Sequence, residues 1–277
     1  MADLTNTSCP SCGAPQPERF CARCGEKRIT THDYSIVHFA EHALEMLTHF
    51  DFRSIRALKR LVTEPGELTR SYLSGRRRAV LGPIQLFVIL NLVFAFSGMN
   101  SFSTPLFIQM GDGPFRALKR GMAADAIAHS GLSGEAFART FDQNAGTQGK
   151  SWVFAMIPAM SLCLAVLYGF RRYFFEHLIF ATHFYAFMLL LTMVLIKPAG
   201  WIVEYAHLNV KWQVLDFRVS MVILSGLTIY LYLAMRRAHG DSRVAAGARA
   251  LTLGFLIYPI LLAYRFLLFF VTLYTMH

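Results

Sequence analysis

One apolar stretch in the second half of the chain limits what this sequence can fold into. It runs from Arg171 to Lys197, RRYFFEHLIFATHFYAFMLLLTMVLIK. The stretch is apolar for about twenty residues, the length a helix needs to cross the hydrocarbon core of a bilayer. Arg171 and Arg172 mark one end, Lys197 and Pro198 the other. Inside it lie Glu176, His177 and His183, polar groups that a lipid-facing helix does not carry. The stretch reads as the central helix of a small multipass membrane protein.

Composition agrees. Hydrophobic residues make up 55% of the 277 positions and charged residues only 16%, whereas a soluble domain is about a quarter charged. Mean hydropathy is +0.40. The chain is basic, with 27 Lys and Arg against 17 Asp and Glu. Such a balance suits either nucleic-acid binding or the cytoplasmic rim of a membrane. Position favours the rim, because the basic residues cluster beside apolar stretches. The first residues, MADLTNTSCP, have neither a basic region nor an apolar core of signal-peptide type. The N-terminus is therefore expected in the reducing cytoplasm.

That compartment bears on the cysteines. Residues 9 to 25 read CPSCGAPQPERFCARCG, so Cys9 and Cys12 form one C-x-x-C and Cys21 and Cys24 a second. Two such knuckles supply the four soft ligands of a tetrahedral Zn2+ site. A glycine follows each knuckle, and lets the backbone turn its amides toward the sulfurs. With so short a loop between the knuckles, metal binding would supply most of the folding energy, roughly 10–16 kcal/mol in structural sites of this kind. Four protein ligands leave no open position for water, so the Zn2+ is expected to be structural. Arg19, Arg23, Lys27 and Arg28 are too few to make the ribbon a nucleic-acid module. A docking surface for a cytoplasmic protein partner suits it better.

Residues 1–29 are thus expected to form a cytoplasmic zinc ribbon and 30–78 a set of basic amphipathic juxtamembrane helices. In the first helix, at 30–49, Ile36, Val37, Ala40, Leu44 and Leu47 recur at helical spacing. His38 and His42 stand four apart there, without a carboxylate in metalloprotease spacing. Pro65-Gly66 breaks the next helix, and Arg76 to Arg78 precede the first long apolar run. Residues 79–277 are expected to form the membrane domain, with spans at about 79–98, 152–170, 177–197, 217–235 and 250–274. An extracytoplasmic loop at 99–151 would carry short helices around 115–126 and 135–141. Counting Lys and Arg beside the spans puts the N-terminus in the cytoplasm and the C-terminus outside. The fold class is an all-α membrane protein: a five-span helical bundle with an N-terminal zinc ribbon and amphipathic juxtamembrane helices.

The motifs together resemble a widespread bacterial family of membrane proteins labelled only as a domain of unknown function. They are Cys9 to Gly25, then Pro65-Gly66 with Tyr72-Leu73-Ser74-Gly75-Arg76, and then Glu176-His177-Leu178 to Phe187. The resemblance implies a helical fold and the bacterial inner membrane. It brings no established activity with it.

Helix geometry, 1.5 Å and 100° per residue, arranges the polar groups inside the spans. Glu176 and His183 share a face, while His177 points elsewhere. Measured from each basic flank, His183, Tyr230 and Tyr258 fall at one depth in the cytoplasmic half. Asn91 and Arg265 fall at one depth in the outer half. The functional reading is two polar layers lining a path or pocket. The competing reading is helix-to-helix hydrogen bonding and, for Glu176, an ion pair with the neighbouring arginines. No nucleophile-elbow serine, phosphate loop or catalytic metal triad is visible, which weighs against an enzyme; acid–base chemistry by a His/Glu pair at the bilayer surface keeps that class open. The leading reading is a non-enzymatic anchor or sensor module. The alternative is a transporter of a small solute, proton or lipid that uses the intramembrane His, Glu and Arg groups.

Overall fold

The computed structural model describes residues 8–28, 53–77, 80–97, 102–111, 115–196 and 212–276. The helix expected at 30–49, with His38 and His42, lies outside them, as does the stretch 197–211. The elements of regular structure in the described residues are helical, beyond two isolated β-bridges in the ribbon. In chain order the helices are α1 (Arg53–Thr63), α2 (Glu67–Leu73), α3 (Pro83–Phe96), α4 (Leu106–Gln109), α5 (Arg116–Ser130) and α6 (Gly134–Trp152). A 3-10 turn at Val153–Ala155 leads into α7 (Met156–Leu167), followed by α8 (Phe174–Leu191), which ends in a π-helical turn at Thr192–Ile196. The last two are α9 (Trp212–His239) and α10 (Arg243–Thr275).

Three helical runs are long and apolar enough to cross a membrane: Gly134–Leu167, Phe174–Leu195 and Arg243–Thr275. They overlap the second and central expected spans, ending short of both at Leu167 and Leu195, and contain the fifth. The first run is 34 residues and passes through the 3-10 turn at Val153–Ala155. Its polar part is Gly134–Trp152, GEAFARTFDQNAGTQGKSW. The first expected span is represented by α3, apolar but 14 residues long. The fourth falls within α9, 28 residues long and outside those three runs.

The chain divides into two compact units, Met1–Leu92 with Ile157–Ile257, and Val93–Met156 with Tyr258–His277. In the first unit α1 is amphipathic: Ala57 and Leu61 are buried while Arg56, Lys59 and Ile55 face out. The chain then turns at Gly66, whose φ of 82° suits glycine. A second constraint acts there, since a Cβ on Gly66 would collide with the Ala234 carbonyl oxygen in α9. Helix α2 can approach α9 this closely only without a side chain at that point. It is seven residues long, and Leu68, Thr69, Ser71, Tyr72 and Leu73 are buried. Packing against α1, α8 and α9 accounts for that burial. Its C-terminus closes with Gly75 N–H on the Tyr72 carbonyl and Arg76 N–H on the Ser71 carbonyl. With φ of 93° at Gly75, this is a Schellman cap. The same cap ends α7, with Gly169 N–H on the Val166 carbonyl and Phe170 N–H on the Ala165 carbonyl.

The second unit has its own core. Leu106, Ala123, Ala126, Phe137, Phe141 and Ala145 bury against Phe269 and Leu273 of α10. In the described part of 99–151 the helices are longer than the short ones expected around 115–126 and 135–141. Its α5 and α6 are 15 and 19 residues long, and alanines make their close approach possible. Asp142 accepts the Leu106 amide at 2.7 Å, Lys150 donates to the Ala95 carbonyl at 3.0 Å, and Tyr264 donates to the Gly149 carbonyl at 2.6 Å.

Candidate functional site

The ribbon is a twofold repeat with an offset of twelve residues. Cys9 N–H donates to the Ala14 carbonyl and Gly13 N–H to the Cys9 carbonyl; Cys21 with Glu26 and Gly25 with Cys21 repeat the pattern. Gly13 and Gly25 have φ of 73° and 69°. Bridges Ser8–Pro15 and Phe20–Lys27 close the two halves. The cysteines are free thiols, and their four sulfurs lie within 4.8 Å of one another. Cys9 and Cys24 are 3.5 Å apart, Cys12 and Cys21 3.6 Å. Sulfurs around one tetrahedral ion with ~2.3 Å bonds would be about 3.8 Å apart, so the cluster fits a metal. The backbone amide of Cys24 holds the Cys21 thiol down at about 6. Against the backbone amide of Glu26, burial and the three other sulfurs push Cys24 up to about 12. The crowded sulfurs thus favour one thiolate at Cys21. Behind the cluster Ser11 donates to the Glu26 carboxylate at 2.6 Å and Gln16 to the Glu26 carbonyl at 2.8 Å.

The polar residues within the expected spans fall into separate environments. His183 and Thr69 share a hydrogen bond, Nδ1 to Oγ1 3.0 Å. Tyr230 donates to the Leu61 carbonyl at 3.0 Å, and Arg237 to the Pro65 carbonyl at 3.3 Å. Phe187 stacks on Tyr230 with centroids 3.7 Å apart. These contacts clamp α1 and α2 onto α8 and α9. The space left beside His183 and Tyr230 is about 10 Å³, at the lower limit of what one water occupies. Asn91 in α3 buries an Oδ1 that takes no partner among the described residues.

Tyr258 and Arg265 belong to the second unit. Tyr258 is 62% exposed, and Arg265 donates to the Phe102 carbonyl at 3.2 Å. Nearby, Lys119 lies over the rings of Phe266 and Phe269 and donates to Gln109 at 3.2 Å. Burial, and then the charge of Arg265, lower its pKa.

Glu176 and His177 belong to a cluster that sequence reasoning assembled only in part. Arg172 donates to Glu176 at 3.0 Å and to the His239 carbonyl at 2.9 Å. Tyr168 donates to Asp241 at 2.6 Å, and Arg249 pairs with the same carboxylate at 2.8 Å. The Arg249 guanidinium lies 4.1 Å above the Tyr168 ring, a cation–π contact. His177 and His239 flank that ring, with centroids 5.4 and 5.0 Å away. Burial, followed by the charge of Arg172, pushes His239 down to about 3, so its imidazole stays neutral. Glu176, His177 and His239 are buried, and Glu176 Oε1 and both nitrogens of each histidine lack a partner among the described residues. A cleft of about 720 Å³ opens beside the cluster, reached by Arg171, Arg172, Glu176, Asp241 and Arg249.

Sequence reasoning passed over Tyr168, His239, Asp241 and Arg249. The readable signal was a polar turn, His239-Gly240-Asp241-Ser242-Arg243, joining two apolar helices opposite the Arg171-Arg172 turn.

Residues 52–95 match the model of a family described as a protein of unknown function, DUF3667. That segment covers α1, α2 and nearly all of α3; the ribbon and the Glu176-His177-Leu178 motif lie outside it. No curated protein and no solved structure matches the chain.

Proposed function

We propose that this chain is a multipass protein of the bacterial inner membrane that works as a non-enzymatic anchor and sensor module. In this reading five helices cross the bilayer, the N-terminus is cytoplasmic and the C-terminus extracytoplasmic. A structural Zn2+ held by Cys9, Cys12, Cys21 and Cys24 folds the ribbon, and the ribbon docks a cytoplasmic protein partner. The observation that carries the reading is the clamp. Polar groups of the membrane helices, His183 and Tyr230, are spent on holding α1 and α2. A segment fixed in this way can pass a change in the bilayer to whatever the ribbon holds. The transport alternative draws on the unpartnered buried atoms of Glu176, His177 and His183.

The test uses the full chain in membranes, with and without residues 1–29. Cross-linking should give one adduct of defined mass that needs both the ribbon and its metal. In proteoliposomes, the full chain should dissipate a proton or solute gradient no faster than protein-free vesicles. A protein-dependent flux that survives ribbon deletion would overturn the reading.

A further inference from the structure

We propose that the cleft beside the α7–α8 and α9–α10 turns binds a phospholipid headgroup carrying both a phosphate and a hydrogen-bond donor. Phosphoethanolamine and phosphoglycerol have that chemistry. The inference rests on the reading of the chain as a membrane protein, and names a ligand for one of its polar clusters.

Three observations lead to it. First, the cleft of about 720 Å³ is basic on balance, with Arg171, Arg172 and Arg249 against Glu176 and Asp241. Arg172 and Arg249 are fixed by their carboxylate pairs, and each keeps 27% of its side chain exposed. A guanidinium has five N–H donors, so both retain donors for a phosphate after those pairs are made. Arg171 is exposed, and its guanidinium takes no partner among the described residues. Arginine suits this task because its planar fork matches phosphate oxygens.

Second, the cleft holds an acceptor as well as donors. Glu176 is 2% exposed and lines the cleft. One of its carboxylate oxygens bonds Arg172 at 3.0 Å, while Oε1 has no partner among the described residues. A buried carboxylate oxygen left this way costs free energy. A bare phosphate would aggravate that cost, and a trimethylated choline has no N–H to relieve it. An ammonium or a hydroxyl on the same ligand does relieve it.

Third, the site lies where a headgroup would be. The turn carrying Arg171 and Arg172 joins Leu167, the end of one apolar run, to Phe174, the start of the next. Val166 and Leu167 line the same cleft, an apolar wall for the glycerol end of the lipid.

The experiment is lipid retention by the full-length protein in detergent, read by native mass spectrometry. Equal amounts of phosphatidylethanolamine, phosphatidylglycerol and phosphatidylcholine are supplied. The first two should be retained about tenfold over the third, the equivalent of one charge-assisted hydrogen bond. Arg171→Gln should lower retention of all three. Glu176→Gln keeps the bond to Arg172 but removes the charge, so the ethanolamine-over-choline preference should shrink toward one. Glycerophosphoethanolamine should compete in solution, and inorganic phosphate should not. Equal retention of the three lipids would overturn the proposal. So would phosphate competing as well as the glycerophosphodiester, which would mark a plain anion site. Flotation with phosphatidylcholine vesicles separates the two layers of the argument. A protein that floats without headgroup preference refutes the site and leaves the membrane reading standing; one that fails to float refutes both.

Discussion

His183 and Glu176 stand seven residues apart on α8, and their surroundings are opposite. His183 faces a closed contact: its Nδ1 meets Thr69 at 3.0 Å, and the space left over is about 10 Å³. Glu176, just as buried, borders a larger space: one oxygen meets Arg172, the other, like His183 Nε2, has no partner among the described residues, and the cleft beside it holds about 720 Å³. Sequence periodicity places both on one face and leaves Glu176 either on a path or in an ion pair with the neighbouring arginines; the pair with Arg172 is present. The difference shows that a polar residue in an apolar helix is defined by what packs over it. Over His183 lies α2; over Glu176 lie two turns that leave a gap.

The comparison can be broken most severely at Gly66. Gly66→Leu forces a side chain against the Ala234 carbonyl and a β-carbon into a φ of 82°. Such changes cost ~3 kcal/mol or more when backbone must move. Thermal denaturation in detergent should show a large loss, with new protease cleavage between Arg53 and Leu73. A substitution as bulky at Gly131, where nothing lies within 4 Å of an added Cβ, should cost far less despite its similar φ.

A second, smaller effect belongs to the clamp's hydrogen bond. Thr69→Val or His183→Leu alone strands a buried polar atom and should cost about 1–3 kcal/mol. Together they should cost less than the sum, because neither leaves the other unsatisfied. An additive double variant would mean that the two side chains do not interact.

The cleft side should respond to pH. An unfolded histidine titrates near 6.5, whereas His239 is held at about 3 in the fold. The unfolded chain therefore binds more protons below about 6.5. This contribution to stability is complete above that pH and is lost as pH falls toward 3. His239→Gln should flatten the decline between pH 7 and pH 5, read by denaturation midpoints. The groups around His239 are Arg172, His177, Arg249 and the Tyr168 ring, so Arg172 sets part of the slope.

The smallest effect is expected at Arg171. It is exposed, and Arg171→Gln should leave stability within about 0.5 kcal/mol of the parent. A large destabilisation would make Arg171 part of the packing, unlike the free donor described above.

How much of this was legible in the sequence follows from which interactions are local. The knuckles at Cys9–Gly13 and Cys21–Gly25 could be read because their ligands and glycines are adjacent in the chain. Pro65-Gly66 could be read as a break, but the approach to Ala234 that makes the glycine necessary could not. The pairs that build the clamp and the cleft are distant: Thr69 and His183 are 114 residues apart, Tyr230 and Leu61 169, and Tyr168 and Asp241 73. Helical periodicity tells which side of a helix a residue occupies, and is silent about which helix covers it. The full length of α5 and α6 and the core they build escaped for a different reason. Their core uses Ala123, Ala126 and Ala145 beside a few phenylalanines, so the apolar signal per turn is weak although the packing is close.

The central claim is that α2 is clamped against α8 and α9 and is not a loose surface segment. Hydrogen exchange on the full chain in lipid nanodiscs tests it directly. The account predicts that amides in Leu68–Leu73 exchange as slowly as those of Ile179–Ala186 in α8, and that Thr69→Val with His183→Leu speeds them while α8 stays protected. Exchange across α2 as fast as at the exposed end of α5, unchanged by the double variant, would contradict it.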